Sequence, residues 1–233
     1  VMLDSASQFR APAPSKFDLT KGSPYYKEVM DSYLTVKNLT NEQRDIANFW
    51  DCNPFKMNIT GHSMFATKKM SPGGHWLGIV AQISRQYKKG YTETAEALAL
   101  TSIAIFDGFI SCWDEKYRSS YVRPVNVINE LLDKNWAPLL QTPPFPEYTS
   151  GHSTITASAA TVLTKLYGEN FAFEDSSDYK YIGLKRKFSS FQAAASEASI
   201  SRVYGGIHYT LSVNVGNEQG KKVGALVVRK LLE

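Results

Sequence analysis

A chain of 233 residues with 43% hydrophobic and 21% charged side chains can bury a sizeable core in one domain, and it carries no low-complexity tract. The formal net charge of +4 and the pI near 8.9 suit small anionic ligands, but the lysines and arginines do not cluster, which excludes a nucleic-acid footprint. Two cysteines, Cys52 and Cys112, exclude a disulfide framework and a cysteine metal site; free core thiols and a single bridge both stay open.

In chain order, Phe9-Arg10-Ala11-Pro12-Ala13-Pro14 reads as an extended surface segment, because its prolines forbid a helix. Pro24 at a first-turn position predicts a short helix over residues 25–36. Thr40-Asn41-Glu42-Gln43 matches a capping box, and the helix behind it, with Ile46, Phe49 and Trp50 on one face, ends before Asn53-Pro54. Residues 55–74 read as loop, with Gly61-His62 and Pro72-Gly73-Gly74 as breakers. His75 and Trp76 open a helix to about residue 87, with Ile79, Val80 and Ile83 facing inward. The most apolar region, 95–113, is interrupted by Thr101, Ser102, Asp107 and Ser111, so it reads as a buried core helix within 92–116 and not as a membrane span. Further helices are predicted from Arg123-Pro124 through Leu132, over 153–167 after a proline-rich turn, over the alanine-rich 178–199, and over 215–232. Without a convincing alternating strand pattern, the expected fold is all-α, a bundle of about eight helices. One domain is expected over 1–233, with 1–40 as an extended, peripheral lead-in and 41–233 as the bundle. The chain opens with Val1 and shows no leader sequence, so a processed or shortened N-terminus is expected.

The stretch Tyr148-Thr149-Ser150-Gly151-His152 opens the 153–167 helix. A Ser-Gly helix start offers free N–H groups and the positive end of the helix dipole to an anion. His152 adds a group that exchanges protons near neutral pH. Singly these are common features of a plain cap. Four more basic positions stand at helix ends: Lys116 closes the long core helix, Arg123 precedes Pro124, and Arg202 and His208 lie between two helices in Ser201-Arg202-Val203-Tyr204-Gly205-Gly206-Ile207-His208. Each of these alone would be an ordinary surface charge, and Gly205-Gly206 a plain turn.

Taken together, Lys116-x6-Arg123-Pro124, Ser150-Gly151-His152 and Ser201-Arg202-x5-His208, in that order and in a helical context, resemble the vanadium-dependent haloperoxidases and the type 2 phosphatidic acid phosphatases, which share one anion site. Tyr204-Gly205-Gly206-Ile207-His208 and Pro72-Gly73-Gly74-His75-Trp76 are similar to the bacterial haloperoxidase branch, above all the vanadium iodoperoxidases. The resemblance implies a vanadate cofactor held by Lys116, Arg123, Ser150, Gly151, Arg202 and His208. His208 would be the ligand to vanadium and His152 the acid–base residue. Trp113, Phe145 and Ser150 would line a halide pocket, and hydrogen peroxide and a halide, iodide favoured, would be the substrates. It further implies export to the periplasm or beyond, and a longer chain of which this is the C-terminal catalytic part.

Three functions stay open at this point: haloperoxidase, acid phosphatase with His208 as nucleophile, and an oxyanion-binding domain without chemistry. Ser212 stands where these phosphatases usually carry an Asp that orients the last His; this weakens the phosphatase reading and leaves the partner of His208 undefined. Intact His152 and His208 speak against the third reading. His75 reads as a structural cap residue, Phe55 and Asp114 as groups shaping the entrance, and Tyr117, Tyr121 and Tyr204 as packing side chains.

Overall fold

Proline and hydroxyl side chains start the helices. In the computed structural model, which describes residues 1–53, 56–67 and 70–233, the Ser23 hydroxyl accepts from the Tyr26 N–H to begin α1 (Pro24–Lys37). The Thr40/Gln43 capping box begins α2 (Asn41–Phe49). Residues read as loop instead form a hairpin of β1 (Lys56–Thr60) and β2 (Ser63–Thr67), paired antiparallel from Lys56↔Thr67 to Thr60↔Ser63. The supposed breaker Gly61-His62 is its turn, with Gly61 at φ +60° as a tight two-residue loop requires. Ser71 caps α3 (Pro72–Gln86), and the Glu93 side chain accepts from the Gly90 N–H at the start of α4 (Tyr91–Ser119). Pro124 opens α5 (Pro124–Leu131), and Ser150 caps α6 (Gly151–Tyr167).

The single helix expected over 178–199 is broken. β3 (Phe173–Asp175) is followed by the one-turn α7 (Tyr179–Ile182), which Gly183 ends at φ +68°. β4 (Arg186–Phe188) then pairs antiparallel with β3, Phe173 opposite Phe188. Only after the Ser190 cap does α8 (Phe191–Tyr204) begin, and α9 (Thr210–Leu231) follows it. Nine helices and two short hairpin-like sheets thus make up the described residues, an essentially all-α bundle as expected.

α6 is the centre of the packing: both faces are buried, with α4, α8 and α9 around it. Small residues set its distance from α9. A Cβ added at Gly216, Gly220 or Gly224 would sit 2.9, 2.1 or 2.7 Å from the carbonyl oxygens of Ser150, Thr154 and Ser158. The two backbones therefore touch, and Ser158 Oγ donates to Gly220 O at 3.0 Å across the contact. The stretch Tyr91–Leu131 is long and apolar enough to cross a membrane, by length and composition. On α4, however, the buried face carries Asp107, Glu115 and Lys116, a set that suits a protein interior and not lipid. Residues 1–40, expected to be peripheral, supply α1, and its Tyr25 and Val29 are fully buried against Tyr121, Ile128 and Tyr209. The Asp107 carboxylate also accepts the Met2 and Leu3 N–H groups at 2.7 and 3.2 Å. Cys52 and Cys112 are both buried free thiols, so the bridge is not formed.

Candidate active site

A cavity of about 470 Å³ opens at the N-terminus of α6, walled by the α8–α9 connection and the proline-rich segment. Gly151, His152, Arg202 and His208 reach its surface, and Phe109, Trp113 and Phe145 form an aromatic wall with ring centroids 5.0 and 5.1 Å apart. Lys116, Arg123 and Ser150 are buried just behind this surface. Gly151 fits there because it lacks a side chain: a Cβ would lie 3.3 Å from the Trp113 ring and 3.9 Å from Lys116 Cε.

His208 is delivered by the Gly205-Gly206 turn. Gly206 has φ +73°, and a Cβ on it would meet Val36 at 2.7 Å. The His208 ring is oriented by a residue the sequence did not single out. Glu147 Oε1 lies 2.7 Å from His208 Nδ1 and also accepts the Tyr209 N–H at 3.0 Å. A carboxylate there fixes the proton on Nδ1, so Nε2 carries the free lone pair, and Arg123 Nη1 donates to it at 3.1 Å. Ser212, the position that left this partner in doubt, is buried and only reaches the Glu147 carbonyl at 3.5 Å. The available signal was a lone carboxylate within the apolar, proline-rich run before Tyr148. Burial pushes the Glu147 carboxyl up from its usual value, against the pull of Arg123 and Lys116.

The cations are pinned by backbone oxygens. Lys116 Nζ donates to the carbonyls of Pro146 and Glu147, both at 2.9 Å, and lies 5.3 Å from the Phe145 ring centre. Arg123 donates to the carbonyls of Phe145, Pro146 and Ile207 at 3.0, 3.3 and 2.7 Å. Arg202, expected between two helices, stands in the last turn of α8 and donates to Ser201 Oγ at 3.0 Å and Trp50 O at 2.6 Å. Burial, with Arg202 and His75 behind it, holds the proton affinity of His152 well below that of a free imidazole. Burial, Arg123 and Lys116 do the same for His208. Both rings are therefore neutral. His152 hydrogen-bonds the Trp50 backbone, while its buried Nε2 has no partner within the protein. Ser150 Oγ accepts from Ser153 Oγ at 2.9 Å while capping α6.

The lesser expectations fare differently. Ser71, not His75, caps α3, and His75 is buried inside the fold. Asp114 pairs with Arg10 at 3.6 Å and does not border the cavity, Phe55 lies outside the described residues, and Tyr117 is exposed instead of packed. Tyr121 does pack, donating its hydroxyl to Ser15 O at 2.8 Å.

Three buried cations and two imidazoles, one of them with its Nε2 unpartnered, beside one small cavity are the surroundings a multivalent oxyanion needs to leave water. The family model for the VCPO second helical-bundle domain matches residues 96–233. The chain belongs to the vanadium-dependent haloperoxidase family. Among solved structures of that family, a bacterial vanadium-dependent iodoperoxidase superposes with a TM-score of 0.91 at 45% identity, covering 98% of this chain and 55% of the other. The holo form of a bacterial vanadium-dependent chloroperoxidase gives 0.77 at 19% identity, covering 98% and 52%, which is a likeness of fold alone. A transmembrane PAP2-type phosphatidylglycerolphosphate phosphatase from Bacillus subtilis shares the fold more loosely, at 0.51 and 15% identity, covering 91% of this chain and 88% of that one. No curated protein matches the chain. The chain thus spans about half the length of the haloperoxidases it resembles.

Proposed function

We propose that the cavity binds vanadate and that the protein oxidises halide, iodide by preference, with hydrogen peroxide to hypohalous acid. One observation carries the reading: His208 lines a cavity together with Arg202, with Arg123 donating to its Nε2, Lys116 buried close behind, and Glu147 holding the opposite edge of the ring. A neutral imidazole oriented by a carboxylate is a metal ligand's arrangement, and buried cations offset an oxyanion's charge. When bound, vanadate supplies a Lewis acid that activates peroxide toward halide. The protein's own residues do the rest. Lys116, Arg123 and Arg202 balance the charge, with Ser150 and Gly151 at the helix start completing the cradle. His152 accepts a proton from incoming peroxide at its unpartnered Nε2. Trp113 and Phe145 exclude water and give a soft, polarisable halide an apolar wall. The preference for iodide is supported by the likeness to an iodoperoxidase and by iodide being the easiest halide to oxidise. The site of action we propose is outside the cytoplasm, where peroxide and halide meet.

A phosphatase acting through His208 remains the second reading, and Glu147 strengthens it, because the ring has a carboxylate partner after all. One experiment separates the two. Protein stripped of anions should oxidise iodide with peroxide only after vanadate is added, with bromide slower and chloride slower still. Peroxidase activity indifferent to vanadate, or steady hydrolysis of a phosphate monoester that vanadate inhibits, would overturn the first reading.

Glu147→Gln keeps the shape but removes the charge that fixes the His208 tautomer. Vanadate affinity should fall about 10- to 100-fold, measured by titrating activity or protein fluorescence with vanadate. An unchanged affinity would remove Glu147 from the site.

A further inference from the structure

Beside the cavity lies a second cluster that the proposed reaction does not use. Cys52 reaches the cavity wall, and its Sγ stands 3.2 Å from His75 Nδ1. His75 Nε2 is in turn 2.8 Å from Asp175 Oδ2. The other oxygen of Asp175 accepts from the N–H and hydroxyl of Ser177 at 2.9 and 2.7 Å, which holds the carboxylate in place. Asp175 engages Nε2, so Nδ1 is the ring nitrogen left to face the thiol. This is a nucleophile, a base and a carboxylate that orients the base. The His75 ring is stacked on Trp50, centroids 4.8 Å apart, and edges Phe49 at 5.5 Å, an aromatic cage that suits a charged imidazolium. Burial opposes charge on that ring, but Cys52 and Asp175 outweigh it and hold the ring up to about 10.

The geometry is chemically directed. All three side chains are buried away from bulk solvent, and Cys52 is the member of the cluster that lines the cavity. His152, whose Nε2 has no partner within the protein, lines the same cavity, so a small polar molecule entering there is bordered by both residues. Cys112 offers the internal contrast. Its sulfur is enclosed by Thr149, accepting from Oγ1 and facing the carbonyl oxygen, each at 3.5 Å, and it does not border the cavity.

We propose that Cys52, with His75 as base and Asp175 orienting it, is a peroxide-reactive thiol in the cavity wall, a modification site independent of vanadate. In the step, His75 Nδ1 takes the thiol proton and the sulfur attacks one oxygen of a hydroperoxide. The S–O bond forms as the O–O bond breaks; sulfur is oxidised by two electrons to the sulfenic acid, and the departing oxygen takes the proton from His75 and leaves as water, or as an alcohol from an organic hydroperoxide. The product puts an oxygen atom into the wall that also carries Arg202 and His152.

The test uses the whole chain without vanadate, so it stands or falls apart from the haloperoxidase reading. Protein is treated with equimolar hydrogen peroxide, and its cysteine peptides are followed by mass spectrometry against time. Cys52 should gain one oxygen, about 16 Da, in a form that dithiothreitol removes, while Cys112 stays unmodified. His75→Gln and, separately, Asp175→Asn should slow the Cys52 reaction by about tenfold or more, with circular dichroism reporting whether each variant folds. Equal oxidation of both cysteines in the unaltered protein, or no oxidation of Cys52, would overturn the proposal. So would an undiminished rate in a folded variant.

Discussion

Peroxide-dependent turnover in the His152→Ala variant should fall by about 10²- to 10⁴-fold, the range for losing one general acid–base group, while vanadate still binds. The two effects separate because His152 is neutral: burial and the neighbouring Arg202 keep its proton affinity low. Removing it subtracts no positive charge from the cradle. Lys116, Arg123, Arg202 and the His208 nitrogen are left where they are, since Arg202 keeps its own hold on the Trp50 carbonyl. The loss should therefore fall on kcat, measured as iodide oxidation at saturating vanadate, and not on the vanadate dissociation constant. A variant that loses both equally would show that His152 holds the anion and does not move protons; one that keeps full kcat would remove it from the chemistry.

Gly220→Ala should be among the most destabilising single changes in the chain. The new methyl would lie 2.1 Å from Thr154 O and 2.8 Å from the Ala157 Cβ. Neither neighbour is the end of a flexible side chain, so one helix must move bodily away from the other. Overpacking of this kind typically costs about 1–3 kcal/mol, and a backbone clash belongs at or above the top of that range. The measurement is the urea midpoint. An unchanged midpoint would mean that α6 and α9 do not approach as closely as described. Activity should fall in whatever fraction remains folded, because α6 carries His152 in its first turn and α9 begins just after His208.

What could be read in the sequence was what is locally encoded. Ser23-Pro24, the Thr40 box and Arg123-Pro124 announce helix starts through hydrogen bonds within one turn, and the helices stand where those signals put them. The β1–β2 hairpin has little local signature, because each strand is five residues long and its turn glycine reads equally as a breaker. Alanine content favours one helix over 178–199, but Gly183, whose left-handed φ ends α7, breaks it. In the site, Lys116, Arg123, His152, Arg202 and His208 were legible only through the family resemblance that their motifs carry together, since each alone reads as an ordinary charge or cap residue. Glu147 and the Cys52–His75–Asp175 cluster escaped because their meaning lies in contacts that span 61, 23 and 100 residues of chain. No local pattern encodes such contacts.

The grip of Lys116 and Arg123 on the carbonyls of Phe145, Pro146 and Glu147 has a thermodynamic side. Long basic side chains lose roughly 2 kcal/mol of rotamer freedom when they are immobilised. Here that loss occurs during folding, when the same bonds fasten the proline-rich segment to α4 and to the start of α5. An oxyanion arriving later meets charges already frozen in position, and nearly all of its attraction to them is retained as affinity.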